Sequence, residues 1–172
     1  IFDSIPKFPQ RPISENPKNI VGLGGVKNFL YLTDSSQFDR QQDLVLALSN
    51  TNFDVIITDV FHKGRRPFVK AAIQGMKFKK LGARRLVFAY MNIGAAESFR
   101  YYWKDNWREG SPNFLSGPTP GNPDKYNVQY WQPGWRKIIT GNTKSYLYGI
   151  VAQGFDGVVL DGLDSYKFFE GG

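Results

Sequence analysis

Four short runs of nearly unbroken apolar character, at residues 28–34, 53–59, 85–91 and 157–161, constrain this chain more than any other feature of it. Unbroken runs, as opposed to alternating ones, mark strands covered on both faces, as in a parallel sheet flanked by helices. Helical patterns fall between them. Leu44, Ala47 and Leu48 share one face over 40–49. Pro67 is placed to open a second helix, with Val69, Ile73 and Met76 as its stripe and Gly82 just past its end. A third pattern runs over 135–153 and stops at Gly154. Strand and helix in regular alternation predict a parallel α/β domain over 20–172, of the TIM-type (β/α)8 barrel kind rather than a doubly wound sheet. Residues 1–19, with Pro6, Pro9, Pro12 and Pro17, read as an extended arm, and 94–133 as one long loop rich in Gly, Pro and aromatics.

Only four βα units are present, about the N-terminal half of a barrel, and a barrel needs about 200 residues or more. Half a barrel leaves two sheet edges unpaired. A piece of a longer protein is the preferred explanation, a homodimer of half-barrels the second, and proteolytic loss the third. The first residue is Ile1, which predicts a removed leader and a secreted or periplasmic location. No apolar run is long enough to span a bilayer.

Composition excludes several chemistries. The absence of Cys removes disulfides, thiolate metal sites and a Cys nucleophile. His62 is the only His, so zinc has no His pair, and it reads as a loop residue. No Gly-x-Ser-x-Gly elbow occurs, and the glycine-rich stretch 22–25 precedes a strand where a phosphate cradle would have to open a helix. No cofactor and no metal are expected. The formal charge of +7 and the 16% aromatic content raise nucleic-acid binding as a reading. The aromatics lie beside acids that repel phosphate, which argues against it. Lys77, Lys79, Lys80, Arg84 and Arg85 gather near a helix end, where the dipole favours cations, and are expected to form a solvated face.

In parallel α/β folds ligands gather at the C-terminal strand ends, because every βα loop leaves from that edge. Acids stand there: Asp34, Asp59, Glu97 just after the third strand, and Asp161 with Asp164. Any one of them could simply tighten a turn or cap a helix. Gly162 lets the backbone turn immediately after Asp161. The loop 94–133 adds Tyr101, Trp103, Trp107, Tyr130 and Trp131, some of which are expected to hold the loop together and others to face a ligand. Carboxylates with aromatic rings are the ingredients of glycoside hydrolysis.

Three segments carry a more specific signal: Ala89-Tyr-Met-Asn-Ile-Gly-Ala-Ala-Glu-Ser-Phe-Arg-Tyr-Tyr-Trp103, Tyr130-Trp-Gln-Pro-Gly-Trp135 and Gly154-Phe-Asp-Gly-Val-Val-Leu-Asp-Gly-Leu-Asp-Ser-Tyr166. In this order they resemble signatures of the endo-α-1,4-polygalactosaminidase-like glycoside hydrolases, a family with a branch once labelled as related to cysteinyl-tRNA synthetase. The resemblance runs from about Lys27 to Glu170. It implies a (β/α)8 barrel acting on galactosamine-containing polysaccharide. It also implies a catalytic role for Asp161 and matches Asp59, Glu97, Arg100 and Tyr166 to family positions. Glu97 and Asp59 are accordingly the catalytic candidates beside Asp161, and Asp164, Tyr166, Arg100, Tyr90, Trp103 and Trp131 the candidate substrate contacts. Many relatives carry Glu where this chain has Ala95, and their second catalytic carboxylate is expected on a later strand. Two functions therefore compete. One is a glycoside hydrolase working through strand-end carboxylates. The other is a non-catalytic carbohydrate-binding surface protein that has lost the second acid.

Overall fold

The computed structural model describes residues 4–5 and 12–171. Pro6 and Pro9 of the expected arm lie outside the described residues. The chain divides into two compact units, one of Ile1–Tyr90 with Ile150–Val159, the other of Met91–Gly149 with Leu160–Gly172.

The first unit holds most of a four-stranded sheet of order β1-β2-β5-β9. These strands are β1 (Phe29–Tyr31), β2 (Val55–Thr58), β5 (Leu86–Asn92) and β9 (Gly157–Asp161). They are the four apolar runs of the sequence. β1 pairs with β2 and β2 with β5 in parallel, Ile56 facing Leu30 on one side and Val87 on the other. Asp156 donates its N–H to Val87 O at 2.9 Å and Ile93 its N–H to Asp161 O at 3.0 Å, so β9 runs the same way beside β5. β2 and β5 are almost entirely buried, as unbroken apolar runs require. The outer strands are not: Phe29 of β1 and Leu160 of β9 are 57% and 47% exposed.

Two helices cover the sheet in this unit, α1 (Gln41–Ser49) and α2 (Lys70–Met76). Leu44 and Leu48 of α1 and Ile73 and Met76 of α2 meet Leu30, Ile56 and Val87 in one core. The Gln41 amide ties the two helices, donating to Pro67 O at 2.9 Å and accepting from Val69 N–H at 3.2 Å. Pro67 does not open α2. It lies in β4 (Arg66–Pro67), the second strand of a hairpin begun by β3 (Phe61–His62), and the helix starts at Lys70. His62 is accordingly a buried strand residue, edge-on to Phe68, and not a loop residue.

The basic cluster is a solvated face only in part: Lys80 and Arg84 are exposed as expected, and the other three correct the expectation from charge alone. Lys77, Lys79 and Arg85 are buried. Lys77 Nζ lies 2.7 Å from Asp156 Oδ1, while the other oxygen of Asp156 accepts Val87 N–H at 2.9 Å. The Arg85 guanidinium donates to Leu48 O, Thr51 O and Phe78 O, adding a second donor to Leu48 O and Thr51 O at the end of α1 and reaching the segment just beyond α2. Desolvation lowers the Arg85 pKa to about 10.

The second unit corrects the reading of 94–133 as one loop. It contains an antiparallel sheet of order β6-β8-β7, made of β6 (Ala95–Glu97), β7 (Leu115–Thr119) and β8 (Asn122–Val128). Ala96, Phe114, Leu115, Val128 and Trp135 form its core, with Tyr102, Trp103, Trp107 and Tyr126 packed around them. The single helix expected over 135–153 is two, α3 (Pro133–Ile139) and α4 (Tyr146–Gln153). Gly141, at φ +89°, turns the chain between them in a conformation that favours glycine. The second unit ends in α5 (Tyr166–Glu170).

Candidate active site

Three residues singled out by the sequence, Asp59, Asp34 and Tyr90, lie in the first unit. Asp59, just past β2, is buried, and its Oδ1 accepts Phe61 N–H at 3.1 Å, a turn that redirects the chain into β3. Asp34 does the same at the surface, accepting from Ser36 N–H at 2.8 Å and Ser36 Oγ at 2.9 Å. Tyr90 meets Tyr31 edge-on at 6.1 Å.

The second unit holds the remaining candidates. Asp161 ends β9, is exposed, and accepts Gly162 N–H through Oδ1 at 2.7 Å. Gly162 follows at φ +79°, a left-handed turn open to glycine at little steric cost. It leads through a short 3-10 turn, Leu163–Ser165, into α5. Asp164 and Tyr166 are both exposed on this turn and the start of α5.

Glu97 and Arg100 come together. Arg100 Nε lies 2.5 Å from Glu97 Oε2, the Arg100 side chain is buried, and Glu97 N–H donates to the Tyr102 hydroxyl at 3.0 Å. A carboxylate held by a buried guanidinium at this range forms a charge-assisted bond and stiffens the segment after β6. Tyr102 is itself partly buried, and desolvation of its hydroxyl pushes its pKa well above the ordinary tyrosine value.

The aromatics divide. Trp103 is partly buried against Tyr126, with ring centroids 4.9 Å apart, and against Trp107 at 5.3 Å. Trp131 is exposed, edge-on to Phe169 at 4.9 Å and to Tyr130 at 5.0 Å. Trp131 is thus open to a flat ligand face, whereas Trp103 mostly packs.

Sequence reasoning gave no site role to Asn92 or Gly94, and it met Trp135 only as one of the loop aromatics and the end of a family segment. Asn92 is buried at the end of β5, and its Oδ1 accepts Gly94 N–H at 3.0 Å and Ala95 N–H at 2.9 Å. Trp135 donates its indole N–H to Ile93 O at 2.8 Å. The signal was present in the order Asn-Ile-Gly directly after an apolar run, a pattern that reads as an Asx turn. Among the described residues, no group of three or more His, Cys, Asp or Glu is placed to hold a metal ion. Likewise among the described residues, no helix is long and apolar enough to cross a membrane.

The profile of glycoside-hydrolase family GH114 matches residues 30–172. An uncharacterized protein of Methanocaldococcus jannaschii is 36% identical over 172 residues, covering 98% of this chain and 48% of its own length. An uncharacterized protein of Deinococcus radiodurans is 35% identical over 125 residues, covering 70% of this chain and 36% of its own. The chain therefore spans about half, or less, of the length of these relatives. A solved structure of the glycoside hydrolase domain of PelA from Pseudomonas aeruginosa aligns with a TM-score of 0.49 at 18% identity, over 81% of this chain and 45% of that one.

Proposed function

We propose, since the chain belongs to glycoside-hydrolase family GH114, that it carries the Asp161 rim of a barrel-type glycoside hydrolase acting on galactosamine-containing polysaccharide. One observation carries this reading: Asp161 is an exposed carboxylate at the C-terminal end of a strand in a parallel sheet, with its backbone turned away at once by Gly162. In this reading Asp161 is the nucleophile or the electrostatic stabiliser of a developing oxocarbenium ion. Asp164, one turn further, attracts the ammonium group of a galactosamine unit. Tyr166 and Trp131 are exposed and present ring faces to sugar rings. Glu97 positions more than it reacts, because Arg100 occupies its carboxylate.

A second reading draws on that same ion pair. With Glu97 engaged by Arg100 and alanine at position 95, the rim lacks a free partner acid close in sequence to Glu97, which favours carbohydrate binding without cleavage. The test is incubation of the chain with partially deacetylated α-1,4-linked galactosamine polymer. Reducing ends released by the chain, and lost on Asp161→Asn, support hydrolysis. Saturable binding without release supports the second reading. Absence of both binding and release refutes the polysaccharide assignment for this chain.

A further inference from the structure

Oδ1 of Asn92 accepts two backbone N–H groups, from Gly94 and Ala95, and that fixes the orientation of its amide. Nδ2 is left buried and unpartnered. An unpaired buried donor destabilises a fold, because it gives up its bonds to water without gaining another. Aspartate would make the same two bonds, more strongly and without the orphan donor. The presence of asparagine here therefore needs a reason.

Asp161 and Gly162 supply one. A methyl group on Gly162 would stand 2.6 Å from Asn92 Oδ1 and 2.8 Å from Gly94 N. A methyl on Gly94 would meet Ser165 Oγ at 2.6 Å and Gly162 O closer still. Two glycines thus bring the backbone after β5 against the backbone after β9, and Asn92 fastens one side of the contact. Ile93 N–H, donating to Asp161 O, fastens the other. A carboxylate at position 92 would put a second negative charge against Gly162, the residue that follows Asp161.

We propose that Asn92 is a positioning residue for Asp161: it holds the Gly94–Gly162 contact with a neutral acceptor, so that the direction of the Asp161 carboxylate is fixed without a neighbouring charge. The proposal deepens the glycosidase reading and takes from it the importance of Asp161, but its geometry stands on the rim alone. A structural role would be filled equally well by aspartate. A positioning role distinguishes the two side chains.

The experiment follows the side-chain carboxyl signal of Asp161 by carbon NMR through a pH titration of the intact chain, in the wild type, Asn92→Asp and Asn92→Ala. Thermal melts of each report on the fold. Asn92→Asp is expected to fold and to move the Asp161 midpoint upward by about one pH unit, the effect of a like charge at short range. Asn92→Ala is expected to broaden or shift the Gly94 and Gly162 amide signals and to disperse the Asp161 carboxyl signal. An Asp161 midpoint and line shape unchanged in both variants would overturn the proposal. If Asn92→Asp fails to fold, Asn92→Ala and Asn92→Ser decide it by the same signals. Binding of the galactosamine polymer, measured in parallel, separates the two ideas. A wild-type chain that ignores the polymer while Asp161 responds to Asn92→Asp loses the substrate assignment and keeps the positioning role. A chain that binds the polymer while Asp161 stays indifferent to position 92 does the reverse.

Discussion

Lys79 Nζ stands 2.5 Å from Asp54 Oδ1, and both side chains are wholly shut off from solvent. The ammonium also donates to Asn16 O at 2.7 Å and to Lys18 O at 3.0 Å, so its three donors meet three acceptors. The other carboxylate oxygen accepts Lys27 N–H at 2.9 Å and Asn16 Nδ2 at 3.2 Å. The pair thus stitches the segment before β1 to the start of β2. Removing one partner leaves a buried charge unpaired. Asp54→Ala or Lys79→Met is expected to destabilise the chain by about 3–5 kcal/mol, and the joint replacement Asp54→Leu with Lys79→Met by less than the sum of its parts. Urea unfolding of the three variants measures this; additive losses would show that the pair is not coupled.

Much of this was legible, and the illegible part has physical causes. The four parallel strands followed from apolar runs, because burial on both faces leaves that mark directly. Asp54 inside the second run carries a signal of this pairing, since a charged acid in a buried stretch needs a cation or several N–H donors. Charge in a sequence names no partner, so Lys77, Lys79 and Arg85 looked solvated. β7 and β8 were hidden by Pro118, Gly121, Asn122 and Pro123, which break alternation and signal turns more strongly than strands. At the candidate site, Asp161 was legible from its place after a strand, whereas the engagement of Glu97 by Arg100 depends on geometry that spacing alone leaves open.

Arg85 offers a second test of buried charge. Its planar fork reaches three backbone carbonyls, and its Nη1 reaches Thr51 Oγ1 at 2.9 Å. Lysine keeps the charge but not the fork. Arg85→Lys is expected to lower stability by about 2–4 kcal/mol, because carbonyls around the end of α1 lose donors that water cannot replace. Chemical denaturation measures the loss, and amide exchange at Thr51 and Lys80, both hydrogen-bonded in this turn region, should accelerate in the variant.

Alkaline stability should report on Tyr102. Burial raises its pKa in the folded chain above the unfolded value of 10.0. At pH above 10 the unfolded state releases the phenolic proton first, so the contribution is complete below pH 10 and is lost as pH rises toward the folded value. Arg85 acts in the opposite sense between about pH 10 and 12.5, since its pKa is lowered in the folded chain. Comparing the wild type with Tyr102→Phe cancels the Arg85 contribution. Melting temperature should fall less steeply above pH 10 in Tyr102→Phe, and absorbance titration of the folded wild type should show one more late-ionising tyrosine. Parallel pH profiles would remove Tyr102 as the cause.

Asp161→Asn separates chemistry from structure at the rim. Asparagine keeps an oxygen for the Gly162 N–H, and position 161 is exposed, so stability should change by no more than about 0.5 kcal/mol. The charge is lost, and with it any nucleophile or stabiliser of an oxocarbenium ion at this position. Hydrolysis of galactosamine polymer, where the wild-type chain shows it, is expected to fall by about 10²-fold or more, while binding of the polymer falls far less. The same substitution at Asp164 should invert the pattern, weakening the affinity for deacetylated, cationic polymer with a smaller effect on the rate of the bound complex, because an exposed acid one turn away attracts an ammonium group without meeting the scissile bond. Equal losses of rate from both substitutions would place the reacting carboxylate elsewhere.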